Sequence, residues 1–245
     1  MELCDVANFK LIGTKIIFNF TLRNFNLKSM LHNLSKNNSL VHQFVAELRD
    51  TTVQTDRMRF RRNLERLGEI MAYEISKTMS YKIEKTQTPL AIADCPVLQE
   101  QPVLANILRA AVPMYQGLLN YFDKADNAFI SAYRKHHADG SFEIDLQYTA
   151  CPSLENRVLI VCDPMLATGA SMVATLKKLE AMGKPKHIHI VSAIASQFGI
   201  DFVEKSLPNC TLWTAVIDPI LNEDKYIVPG LGDAGDLAFG EKMQH

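Results

Sequence analysis

Apolar positions along this chain follow two rhythms that alternate. Residues 158–161 are a short unbroken apolar run, the mark of a buried strand. After a polar loop, Met172, Val173, Leu176 and Leu179 recur at three-to-four spacing, and Gly183 stands where a helix stops. The same unit occurs upstream, where the run VLANIL at 103–108 leads into a helical pattern over 114–121. Downstream, HIHIVSAIA at 187–195 is a further buried strand, residues 200–205 a short helix ended by Pro208, and residues 211–217, with Trp213, the last core strand. Residues 128–133 add one more strand. Strands that alternate with helices predict an α/β fold with a central, mainly parallel sheet and helices on both faces.

Two further patterns frame this core. Residues 39–48 predict a short helix. Asp56 is placed to cap a second, in which Phe60, Leu64, Leu67, Met71 and Ile75 line one face while Arg61, Arg62, Glu65, Arg66 and Glu69 form a charged, solvated one. At 142–148 Phe142, Ile144, Leu146 and Tyr148 alternate with Glu143, Asp145 and Gln147, which is the period of a β-hairpin arm, suited to act as a lid. Residues 88–102, punctuated by Pro89, Pro96 and Pro102, read as irregular, with Ile92 touching an edge strand. KIIFNFTL at 15–22 has strand character. Residues 1–29 are expected to be an extension, either mobile or the result of a start upstream of Met30, ahead of one domain over 30–245.

Composition narrows the function classes. The chain has 245 residues, 47% of them hydrophobic, so one large core is available. A net charge of −1 argues against nucleic acid as the main partner, because such domains carry a basic stripe. No apolar run approaches a membrane span, and Glu2 and Asp5 spoil a basic leader, so no membrane partner is expected. Cys4, Cys95, Cys151, Cys162 and Cys210 are scattered without a CxxC pair, as in a reduced, cytoplasmic protein.

The candidate chemistry lies between strand and helix. DPMLATGAS at 163–171 presents small and hydroxyl residues at a predicted helix start, where unpaired N–H groups and the helix dipole favour an anion. Gly169 and Ala170 let a phosphate approach the backbone, and Thr168 and Ser171 add hydroxyls. Asp163 repels phosphate, so its partners are sugar hydroxyls or a hard cation such as Mg²⁺. A phosphorylated sugar satisfies both halves of the loop. Arg109 follows the strand at 103–108, at the edge where ligands collect in α/β sheets, and Arg134 follows the strand at 128–133. His136 and His137 lie in the polar loop after it, and His187 and His189 near the start of a strand, away from that edge, where they read as structural.

This loop resembles the phosphoribosyl-diphosphate loop of the uracil phosphoribosyltransferases, and the tail YIVPGLGDAGD at 226–236 resembles their uracil-binding segment. The resemblance covers roughly residues 40–240. Gly230, Gly232 and Gly235 also spell GxGxxG, but too few residues follow for the helix and strand of a dinucleotide site. The resemblance implies a phosphoribosyltransferase-like fold and transfer of the phosphoribosyl group of 5-phospho-α-D-ribose 1-diphosphate (PRPP) to uracil, giving UMP and diphosphate. It implies that PRPP is held by Arg109, Arg134, Asp163, Pro164, Met165, Leu166, Ala167, Thr168, Gly169, Ala170, Ser171 and Asp233. Arg109, Arg134 and Asp163 then carry the catalysis. Ile227, Gly232, Asp233 and Ala234 line uracil, whose acceptor–donor–acceptor edge matches backbone groups. Asp236 is the candidate for Mg²⁺, bridged through the diphosphate, or for bracing the loop. A homodimer or larger homo-oligomer is expected, and any response to a GTP effector lies beyond these motifs. Three departures from the family pattern stand out: Ala111 in LRAA and Ala170 in GAS, each where a glycine is usual, and Lys135, His136 and His137 in place of an acidic-polar run. They motivate an alternative, a uracil- or UMP-binding regulator with weak turnover; a transferase for another pyrimidine-like base is a third reading.

Overall fold

The computed structural model describes residues 30–136 and 142–242. Along the chain, β1 (Met30–Asn33) precedes α1 (Leu40–Arg49) and α2 (Arg57–Ser76). Ser39 and Asp56 cap the two helices by accepting hydrogen bonds from the N–H groups of Val41 and Arg59, so the capping residues and the apolar spacing act together. A hairpin of β2 (Tyr81–Gln87) and β3 (Ile92–Leu98) comes next. The strand–helix units begin with β4 (Val103–Leu108) and α3 (Val112–Tyr121), followed by the long arm β5 (Asp126–His136) and β6 (Phe142–Ala150). Then come β7 (Val158–Cys162), the two-residue β8 (Met165–Leu166) and α4 (Ala170–Leu179). The chain continues through β9 (His187–Ser196), α5 (Gln197–Ser206) and β10 (Cys210–Asp218). The tail holds β11 (Ile220–Leu221), β12 (Ile227–Val228) and α6 (Ala234–Phe239).

The main sheet runs β1-β10-β9-β7-β4-β5-β6, with β8 paired to β9. All its pairings are parallel except β5–β6. Both faces are covered, which is why β7 is buried at every position. Val41, Val45, Leu48, Phe60, Leu64, Leu67, Met114 and Leu118, from α1 to α3, pack on one face with Ile227, Leu231 and Ala234 of the tail. Met172, Leu176 and Leu179 of α4 and Ile200 and Val203 of α5 pack on the other. Alternate residues of β4 divide between them, Leu104 to the first cluster and Val103, Ala105 and Ile107 to the second.

The structure departs from the sequence reading in four places. The stretch read as irregular, 88–102, holds the turn and the second strand, opening at Ile92, of the β2–β3 hairpin, a separate ribbon with Ile83 paired to Pro96. β1, not anticipated, pairs with β10 and adds an edge to the sheet. The arm continues β5 to His136, so Arg134 lies inside the strand, opposite Ile144, and not at its end. The charged face of α2 is only partly solvated: Arg61 donates to the carbonyl of Ala238 at 2.7 Å, and Asn120 of α3 bonds Glu65 and Glu69. Residues 15–22, the 1–29 extension as a whole and His137 lie outside the described residues. Among the described residues no helix is long and apolar enough to cross a membrane.

Candidate active site

β7 delivers its loop to the carboxyl edge of the sheet, and the loop is shaped before any ligand arrives. Asp163 donates its N–H to Val191 of β9 at 3.1 Å, and its Oδ1 accepts from the N–H of Met165 at 3.3 Å. The carbonyl of Pro164 accepts from Ala193 and Ile194, and Met165 and Leu166 pair with Ile194 and Ala195 as β8. Ser196 caps α5 by accepting from Gly199 N–H and donates its hydroxyl to the carbonyl of Ala167. Gly169 turns the chain into α4 with φ of 74°, and the Thr168 hydroxyl accepts from the N–H of Ala170 at 3.3 Å. A loop fixed by its neighbours loses little freedom when it binds, which favours affinity.

Arg109 leaves β4 at the same edge, after a cis Leu108–Arg109 peptide. Its Nη2 lies 3.0 Å from Oδ1 of Asp236 and 3.4 Å from the carbonyl of Gly240. The tail therefore docks on the arginine that the sequence marks for the diphosphate. Ala111 has φ of −76° and ψ of −16°, an ordinary right-handed conformation, and Ala170 opens α4 after Gly169 has taken the left-handed turn. Neither alanine carries a backbone conformation that calls for glycine, so strain gives no ground for weak turnover.

The tail is held from beneath by two residues that the motifs did not single out. Asp218, at the end of β10, is 3% exposed; its Oδ1 lies 2.6 Å from Nη2 of Arg49 and its Oδ2 accepts from Gly230 N–H at 2.9 Å. Gly230 has φ of 57°, and a Cβ there would meet the carbonyl oxygen of Ile227 at 2.0 Å, so only glycine makes this turn. The side chain of Ile227 is buried in the core, as is Ala234, while Gly232 reaches φ of 94° and a Cβ there would only touch Leu237 Cδ1 at 3.7 Å. Asp233 caps α6 by accepting from the N–H of Asp236. Lys242 returns to this cap, with Nζ 2.9 Å from Asp233 Oδ2 and 3.5 Å from Asp236 Oδ1. Burial raises the Asp233 carboxyl, but the Asp236 N–H and the Lys242 ammonium outweigh it and hold the group below the usual carboxylate range. The hydrogen bond to Asp233 pushes the Lys242 ammonium up.

The sequence-marked residues thus fall into three groups. Residues 163–171 form one preorganised loop, and Met165 and Ala167 pack against the same core cluster as Ile227, Leu231 and Ala234. Arg109, Asp233 and Asp236 form a second group, in which Asp236 pairs with Arg109 and Lys242 pairs with both carboxylates. Arg134 stands apart on the β5–β6 arm. Among the described residues no cluster of three or more His, Cys, Asp or Glu gathers as a metal cage. Asp233 and Asp236, gathered near Arg109, match the donor set of Mg²⁺, which keeps several waters and takes one or two carboxylates together with substrate phosphates. Asp218 could have been found by the argument that found Arg109, a charge at the end of a buried strand. Lys242 offered no such signal, because its partners meet it only once α6 has turned.

An open, mostly parallel sheet with its loops gathered at the carboxyl edge places the chain among the α/β domains that take their ligands there. Within that class it belongs to the uracil phosphoribosyltransferase family, whose model matches residues 35–241. A uracil phosphoribosyltransferase of Porphyromonas gingivalis is 54% identical over 211 residues, covering 86% of this chain and 98% of its own. One from Methanococcus vannielii is 40% identical over 195 residues, covering 78% of this chain and 83% of its own. A solved structure of a protein from Aquifex aeolicus superposes with a TM-score of 0.77 at 27% identity, covering 86% of this chain and 98% of that one.

Proposed function

We propose that this protein transfers the phosphoribosyl group of PRPP to uracil, giving UMP and diphosphate in pyrimidine salvage. The observation that carries the reading is the docking of the tail on Arg109, 3.0 Å from Asp236, because it sets the base-reading segment against the diphosphate-reading one. Family membership supports the same reaction. The bond from ribose C1 to the diphosphate oxygen breaks, positive charge develops on the ribose, and uracil N1 bonds to C1 and gives up its proton. Chemistry of this kind is driven by positioning and by stabilising the leaving group.

In this reading the loop at 166–171 holds the 5-phosphate on the N–H groups that open α4. Asp163 binds ribose hydroxyls and faces the charge that develops at C1. Arg109 and Arg134 take the diphosphate, Arg134 being carried in by the arm, which also excludes water from an activated sugar. Ile227, Gly232, Asp233 and Ala234 read the uracil edge through main-chain atoms, and Asp233 also reaches the donor. Mg²⁺ would be held by Asp236 and the donor's own phosphates, and it supplies charge neutralisation of the leaving diphosphate. Uracil and PRPP are the substrates, the cytoplasm is the compartment, and a homodimer or larger homo-oligomer is the working form of a domain that spans 30–245. The test is UMP formation from uracil, PRPP and Mg²⁺, followed by chromatography. Rapid formation is expected; uracil binding by calorimetry without turnover would favour a regulator instead.

A further inference from the structure

Asp236 Oδ1 is shared by two cations, Arg109 Nη2 at 3.0 Å and Lys242 Nζ at 3.5 Å, and the same ammonium bonds Asp233 at 2.9 Å. A diphosphate gripped by the full fork of Arg109 competes with Asp236 for the Nη2 donor. When Arg109 leaves, two carboxylates three residues apart face an incoming polyanion, and their mutual repulsion opposes donor binding. We propose that Lys242 is a positioning residue for the transfer: it takes over Asp236 as Arg109 goes to the diphosphate, keeping both carboxylates neutralised and the tail loop in place. The inference rests on the reading of Arg109 as a diphosphate ligand.

The geometry suits such an exchange. Lys242 needs only to close from 3.5 Å to the 2.9 Å it already keeps with Asp233. An ammonium carries three donors on a flexible stem, so it can serve both carboxylates at once, whereas a planar guanidinium is tied to one fork direction. Lys242 is partly exposed, with 40% of its side chain accessible, so it can move without repacking the core. Its place after the C-cap of α6 lets it tie the exit of that helix to its start, where Asp233 sits. Asp233, Asp236 and Arg109 form its charged surroundings. Mg²⁺ arriving with the donor can also neutralise Asp236, so Lys242 matters most where the metal is scarce.

Initial-rate kinetics on Lys242→Met should show KM for PRPP raised about fivefold, with KM for uracil within about twofold of the wild type. Lys242→Arg should restore part of the donor affinity. In calorimetry the loss of PRPP binding should be larger without Mg²⁺ than with saturating Mg²⁺. In an Asp236→Asn background the Lys242 substitution should change donor binding little, because the carboxylate it takes over is gone. An unchanged donor KM in an active enzyme overturns the assignment of Lys242 alone. So does a parallel rise in both KM values with a lower melting temperature, which marks a merely structural tie. Failure of the wild type to form UMP overturns the reading of the site, and this inference with it.

Discussion

Asp163 is the residue on which the proposed chemistry leans most. Its Oδ1 accepts from Met165 N–H, a bond that an asparagine carbonyl can keep, so Asp163→Asn removes the charge and leaves the loop. We expect kcat/KM to fall by about 100-fold or more, near 3 kcal/mol at the transition state, with the melting temperature little changed. Steady-state kinetics on the purified variant measures this, and near-normal activity would take the role away from Asp163. Residues of this kind were legible in the sequence because position alone marks them: Asp163 and Arg109 each follow a buried run directly. Asp218 and Lys242 were harder. Their importance comes from partners at Arg49, Gly230, Asp233 and Asp236, and no local pattern records a bond that closes only in the folded chain.

At the scale of elements, local periodicity carried the reading wherever one face of a helix or strand is buried. The apolar stripe of α2 and the run of β4 were legible for that reason. The β2–β3 hairpin was not, since β2 is exposed along its whole length and its prolines look like punctuation; Pro96 is tolerated because the ribbon has only two strands. The same scale contains the link between α1 and the tail. Arg49 of α1 pairs with the buried Asp218, which in turn holds the Gly230 turn. Arg49→Met leaves that carboxylate with the Gly230 N–H but without a cation, and should cost about 2 kcal/mol, less than a fully buried pair because Arg49 is 22% exposed. Urea denaturation reads the loss. Asp218→Asn on top of Arg49→Met should recover part of it, and strictly additive losses would disprove the link. KM for uracil should rise in Arg49→Met more than KM for PRPP.

For the whole molecule, the alternation of strands and helices was enough to place the chain in an α/β class with both faces covered. The strand order was not readable, because which strands become neighbours is decided by packing between distant segments, as when β1 pairs with β10. Those two strands meet around Trp213, which stacks on His32 at 3.9 Å and donates its indole N–H to His189. Burial, with the nearby His187 and His32, lowers His189 from 6.5 to about 3, and burial lowers His32 and His187 as well. A histidine lowered in the fold is neutral there, while the unfolded chain takes up a proton below 6.5. Its contribution is therefore intact above that pH and is lost progressively as pH falls toward 3, by about 1.4 kcal/mol per pH unit for one proton. Stability measured by urea at about pH 7.5 and about pH 5 should differ, and His189→Gln, which can still accept from Trp213, should narrow the gap. An unchanged gap would show that His189 does not set the acid response.

The tail is joined to the rest through the exposed turn at 222–226, bounded by two-residue strands. A protease that nicked this turn would spare every strand of the main sheet and the loop at 163–171, and the clipped segment would stay seated through its buried Ile227, Leu231 and Ala234 and its bonds to Asp218 and Arg109. On the proposed reading such a nick leaves both halves of the pocket assembled, so cutting the chain and losing base recognition are separate events.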